Sequence, residues 1–188
     1  THCISSAASD VYKRQMVFRP CDTRETAAGW YAALTHTTTP TGLILSRQNM
    51  PALEGTGKDA LKGAYILRDC EGTPDVLLMA SGSEVELIYK AYDELAAKGV
   101  KARVISMPCW ELFAEQSDEY KESVMPKAVR ARLAVEAAAD FGWHKFVGLD
   151  GDVICMEGFG ASAPAGTLFK DFGFTVEQVV ERAMALVK

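Results

Sequence analysis

Histidine is scarce and cysteine unpatterned: His2, His36 and His144 are the only 3 histidines in 188 residues, and none of the 5 cysteines belongs to a CxxC pair. That excludes a clustered His/Cys metal centre and a disulfide framework, and the dispersed thiols fit a reduced, cytoplasmic protein. Long apolar runs are missing too. Nothing approaches the roughly 18 residues that a membrane-crossing helix needs, so no membrane partner is expected. Neither G-x-G-x-x-G nor G-x-x-x-x-G-K-[ST] occurs, which removes the dinucleotide and P-loop readings. Excess positive charge is lacking: the formal net charge is −5, which argues against nucleic acid as a partner. Thr stands at position 1 in place of Met, and Thr1–Gln15 has neither periodicity nor the apolar core of a signal peptide. We read those residues as an unmatched leader and the chain as a truncated product.

What is present is ordinary globular material, 48% hydrophobic and 24% charged. The clearest stretch runs from Asp75 to Pro108. Val76–Met79 is a continuous apolar run, as in a strand covered on both faces. Ser83 and Glu86 have the spacing of a capping box, and Val85, Ile88, Tyr89, Tyr92, Leu95 and Ala96 then recur at helical spacing. Gly99 supplies a left-handed stop, and Val104–Ile105 resumes a β-branched run. This is a βαβ unit, and it predicts a mostly parallel α/β sheet in three α/β/α layers.

The flanking chain divides in two. Over residues 16–55, Val17–Arg19 reads as a short strand and Asp22 with Glu25 opens a helix through Leu34. Thr41–Ser46 reads as a second buried strand that delivers Arg47, Gln48 and Asn49 at its C-terminal end. Residues 56–62 form a linker. From residue 63 to 188 a second domain begins with Ala64–Leu67, a short strand expected to run antiparallel. After the βαβ unit come a loop or short turn at Trp110–Gln116, a helix capped by Ser117, and a strand at Arg132–Glu136. Gly142–Leu149 and Val153–Met156 read as shorter strands, and helices begin at Ser162–Pro164 and at Thr175, which pairs with Gln178 as a cap.

Few residues carry chemistry. Arg47, just past a strand at the sheet's ligand edge, can fork two N–H donors onto a phosphate or carboxylate, with Gln48 and Asn49 as added donors; a surface salt bridge is the alternative. Ala80–Ser83 precedes a helix N-terminus and could hold an anion, although plain turn structure accounts for it. Asp150-Gly151-Asp152 reads as a tight turn between strands in place of a metal loop. Glu136 is either an acid at the ligand edge or a buried carboxylate at an interface. His144 reads as a partly buried packing residue, Cys109 and Cys155 as buried thiols, and Phe159, Phe169, Phe172 and Phe174 as core or subunit-interface packing. No nucleophile–base pair emerges, so the residues alone give no catalytic reading.

The strings VFRPCD, TGLILSRQN, ASGSEVELIYKAYDELAAKGVKARVISMP, AVEA and GASAPAGTLFKDFGFT resemble transketolase, collinearly from about Met16 to Lys188. The resemblance implies a homodimeric enzyme that moves a two-carbon ketol unit between sugar phosphates with thiamine diphosphate and Mg2+. Residues 16–55 would then be the end of its pyrimidine-binding domain and residues 63–188 its C-terminal domain. It also implies that Arg47 is the substrate-phosphate arginine, and that the metal motif and activating glutamate lie upstream. On that reading no catalytic, cofactor-binding or metal-binding residue is present. The chain alone should bind neither cofactor nor metal and be inactive, whereas the intact enzyme serves the pentose phosphate pathway. The rival readings are a fragment of 1-deoxyxylulose-5-phosphate synthase or of an oxo-acid dehydrogenase, or a non-catalytic α/β association module.

Overall fold

Apolar and β-branched runs become strands in the computed structural model, which describes residues 15–187. In chain order the elements are β1 (Met16–Phe18), α1 (Thr23–Thr35), β2 (Thr41–Leu43), a 3-10 turn at Lys58–Lys62, β3 (Tyr65–Arg68) and β4 (Val76–Ala80). A 3-10 turn at Gly82–Glu84 leads into α2 (Val85–Ala97), then β5 (Ala102–Ser106), α3 (Trp110–Ala114) and α4 (Asp118–Val124). The chain continues through β6 (Arg132–Val135), α5 (His144–Val147), β7 (Asp152–Ile154), α6 (Ala165–Asp171) and α7 (Val176–Leu186). The leader expected over Thr1–Gln15, with His2 and Cys3, lies outside the described residues except for Gln15.

The main sheet has strand order β3-β5-β4-β6-β7, with β3 antiparallel to β5 and every other pair parallel. β4 and β5 are buried along their whole length, which is why β4 is apolar without alternation; β5 also buries Arg103 and Ser106. Alternate residues of β4 serve opposite layers. Val76, Leu78 and Ala80 pack towards α2 and α7 with Ile88, Leu95 and Val179. Leu77 and Met79 pack the other way, with Phe113, Val124, Trp143 and Phe146. Each large aliphatic side chain so buried contributes about 1.5–3 kcal/mol over leaving it in water. The fold is the mostly parallel α/β/α sandwich that the βαβ unit predicts.

Several local expectations need correction. Ser83 does not cap α2: its hydroxyl donates to the adjacent Glu84 carboxylate, and Glu86 pairs with Lys90 one turn on. Trp110–Ala114 is a short helix where a loop or short turn was expected, and His144–Val147 is helical where a strand was. Both correct for one reason: a single turn of helix is shorter than the period that would announce it. Thr41–Ser46 is a strand only to Leu43, and Ile44 and Leu45 are 53% and 50% exposed, so the apolar run is not a buried strand. Asp150–Asp152 turns between a helix and a strand, with Asp150 paired to Arg130 and Asp152 to Arg182. His144 is an exposed partner of Asp140, at 2.9 Å, while the adjacent Trp143 is the buried packing residue. Phe174 is buried against Phe169, but Phe159 is fully exposed and takes no part in the core.

β1 and β2 form a parallel pair of their own. Met16, Phe18, Ala28 and Ala32 from this segment share one apolar cluster with Tyr65 and Leu67 at the edge of the main sheet. Through that joint runs the buried carboxylate of Glu25. It accepts from Cys21 N at 2.7 Å, from the Tyr65 hydroxyl at 2.7 Å and from the Ser106 hydroxyl at 2.6 Å. Burial raises the Glu25 pKa despite these donors, and in turn raises those of Tyr65 and Cys21. A raised carboxyl pKa means the native state holds a proton that the unfolded chain has released. Stability is then full below the ordinary Glu value of about 4.3 and falls as pH rises to the shifted value. Urea midpoints should therefore rise on mild acidification from neutral pH, with a shallower rise in Glu25→Gln; midpoints that only fall would refute this placement of the charge.

Candidate functional site

Strand ends define the first candidate. β1 stops at Phe18 and β2 at Leu43, side by side and parallel, so the loops that follow both emerge at the carboxyl edge of the pair. Between those loops and the first turn of α1 lies an open cavity of about 430 Å3, lined by Pro20, Asp22, Thr23, Ser46, Gln48 and Asn49 among others. Open parallel sheets receive ligands at this edge. Arg47 sits between two of the lining residues with its side chain exposed. Gln48 and Asn49 are both lining residues of that cavity.

Asp22 builds this rim. Its Oδ1 accepts from Arg24 N at 3.0 Å and Glu25 N at 2.9 Å, capping α1. Its Oδ2 accepts from the Leu53 amide at 3.2 Å and the Thr56 hydroxyl at 2.6 Å, on the far side of the Arg47 loop. One buried carboxylate thus fixes both the helix start and the end of the loop that carries Arg47. Asp22 also occupies the Arg24 and Glu25 amides of the first turn of α1, so those donors are not available to an anion. The neighbouring Cys21 thiol is buried and its pKa is driven up by burial and by Glu25, so it supplies no nucleophile.

The second charged constellation lies between the segments, and the sequence reading missed it as a group. The Arg19 guanidinium meets the carboxylates of Glu84 and Glu136, and its Nη1 donates to Ser81 O at 2.9 Å and Ser81 Oγ at 3.1 Å. Ala80–Ser83, expected at most to hold an anion, faces a cation. Glu136 is the buried interface carboxylate of the two readings offered for it. A signal was available: Arg19 follows β1 immediately, closer to its strand end than Arg47 is to Leu43 at the end of β2. Of the remaining candidates, Cys109 is buried, with its pKa pushed up to about 12, and Cys155 is half-buried. Among the described residues no three His, Cys, Asp or Glu side chains converge as a metal site would require.

Known proteins resemble this chain closely. The family described as Transketolase-like TK C-terminal domain matches residues 63–175. Transketolase of Halalkalibacterium halodurans is 49% identical over 176 residues, which is 92% of this chain and 26% of that protein. The solved transketolase of Leishmania mexicana superposes with a TM-score of 0.87 at 42% identity, covering 93% of this chain and 25% of that one. A transketolase of Pichia stipitis, solved in complex with sedoheptulose 7-phosphate, gives a TM-score of 0.86 at 42% identity with the same coverage. The chain spans about a quarter of the length of the curated relatives it matches.

Replacing Asp22 by Ala removes the cap and both loop anchors together. Hydrogen exchange should then speed up at the amides of Leu53, Arg24 and Glu25 by at least roughly tenfold, from about 1–2 kcal/mol per lost buried acceptor. Unchanged protection at Leu53 would show that Asp22 does not hold the loop.

Proposed function

This chain belongs to the transketolase family, and from that premise we propose that it is the C-terminal part of a transketolase, with Arg47 as its one substrate-contacting residue. In this reading residues 16–55 end the pyrimidine-binding domain, 56–62 link, and 63–188 form the C-terminal domain. The whole enzyme is a cytoplasmic homodimer of the pentose phosphate pathway, acting on sugar phosphates with thiamine diphosphate and Mg2+. When bound, the cofactor supplies the carbanion that carries the two-carbon unit. The chain's own contribution is to hold the far end of the sugar.

The observation that carries this reading is an exposed arginine on a cavity rim at the carboxyl edge of a parallel strand pair, in a chain of this family. A guanidinium stays charged at any working pH and presents paired N–H donors that match phosphate oxygens. Asp22 ties the far end of the loop to the start of α1, which reduces the ordering left to be done when the phosphate arrives. Binding energy from the phosphate, remote from the reacting carbonyl, goes into orientation.

Two measurements test this. Purified chain supplied with thiamine diphosphate and Mg2+ should give no ketol transfer in a coupled assay; sustained turnover would refute the assignment of the cofactor site to the upstream part. In an enzyme made whole by grafting this chain onto the upstream part of a relative, Arg47→Ala should raise KM for a phosphorylated donor about 10–100-fold. That range corresponds to about 1.5–3 kcal/mol for charge-assisted hydrogen bonds. A non-phosphorylated donor should be unaffected, and equal losses for both donors would remove Arg47 from the phosphate site.

A further inference from the structure

The main sheet has its own ligand edge, and it is occupied. From β4 the chain moves outward to β5 on one side and then returns to β6 on the other, so the winding reverses between β4 and β6. In a doubly wound sheet the crevice beyond the carboxyl ends of those two strands is where ligands bind. Here Ser81 follows β4 and Glu136 follows β6, and the side chain between them is Arg19.

The crevice is shaped for that occupant. Ser81 Oγ accepts from Arg19 Nη1 and donates to Glu136 Oε2 at 2.9 Å, and Glu84 closes the other side with a carboxylate that has no solvent exposure. Gly82 has φ +58°, and a Cβ there would lie 2.9 Å from both Cζ and Nε of Arg19. Any side chain at position 82 would therefore collide with the guanidinium as well as strain the backbone. The backbone is registered too: Gly82 N donates to Arg19 O at 3.0 Å and Arg19 N donates to Pro108 O at 2.7 Å. Burial alone would lower the Arg19 pKa, and the facing carboxylates more than reverse this.

We infer that the switch-point crevice of the C-terminal domain is a receptor for an alkylguanidinium, filled in cis by Arg19. Its role is to lock the Arg47-bearing segment onto the domain. Two carboxylates for one cation leave the empty crevice with buried negative charge, so vacating it is costly and a free guanidinium has a reason to enter. This inference does not depend on what Arg47 binds, and its test involves no enzymatic activity.

The test is chemical rescue of the 188-residue chain. Arg19→Ala should lower the thermal midpoint by roughly 6–15 °C, the scale for stranding buried charge in a chain of this size. Methylguanidinium at tens of millimolar should raise the midpoint of Arg19→Ala relative to its effect on the parent chain. It should not do so for Arg19→Ala combined with Glu136→Gln. A midpoint untouched by Arg19→Ala, or the same methylguanidinium response in all three proteins, would overturn the inference. If Arg19→Ala does not fold, Arg19→Lys, Glu136→Gln and their combination replace it. Losses in the double variant well below the sum of the singles support the receptor, and additive losses overturn it.

Discussion

A guanidinium withdrawn from water between two domain-like segments has to be met by charge, and in this protein it is met by Glu84 and Glu136 with Ser81 between them. Removing one member of such a buried set costs several kcal/mol, because the remainder is left desolvated and unpaired. The rest of the arrangement depends on that contact and on its neighbour, the buried Glu25 that joins α1 to Tyr65 and Ser106. Together they fix where β1 and β2 end relative to the main sheet. The rim cavity and Arg47 inherit their position from those ends.

Charge is used differently at the two carboxyl edges. At the main sheet the crevice is acidic and already filled by a side chain of the same polypeptide. At the β1–β2 pair the edge is open, Asp22 is fully engaged by four donors, and the exposed cation is Arg47. One edge therefore holds the structure together while the other remains free to meet an anion. An open parallel sheet offers the same kind of crevice in both places, and here an internal cation enters one of them while the other is open.

The parts of this fold that could be read from sequence were those governed by local rules. Val76–Met79, the helical spacing from Val85 to Leu95 and the stop at Gly99 act over a few residues, and the βαβ unit they predict is the centre of the sheet. Ser117 and Thr175 cap α4 and α7 for the same reason. What could not be read depends on contacts that local spacing does not encode. Arg19 meets Ser81 and Glu136 across separations of 62 and 117 residues, and no pattern within a window announces such a meeting. Ser83 does not cap because it lies inside the 3-10 turn Gly82–Glu84, where its hydroxyl donates to the adjacent carboxylate. Ile44 and Leu45 look like a strand interior by composition, yet nothing in the described residues covers them. Two arginines follow strands of the first segment, and only tertiary structure distinguishes Arg19, engaged by Ser81 and Glu136, from the exposed Arg47.

Native-state hydrogen exchange at the amides of Arg19 and Gly82 tests most directly whether the first segment and the main sheet are one cooperative body. Both amides bond across the joint, to Pro108 O and Arg19 O respectively. If the guanidinium lock holds the segments together, these amides should open only with the free energy that releases Leu78 and Met79 in the central strand. Exchange at Arg19 and Gly82 through a far cheaper opening, while Leu78 and Met79 stay protected, would contradict the account.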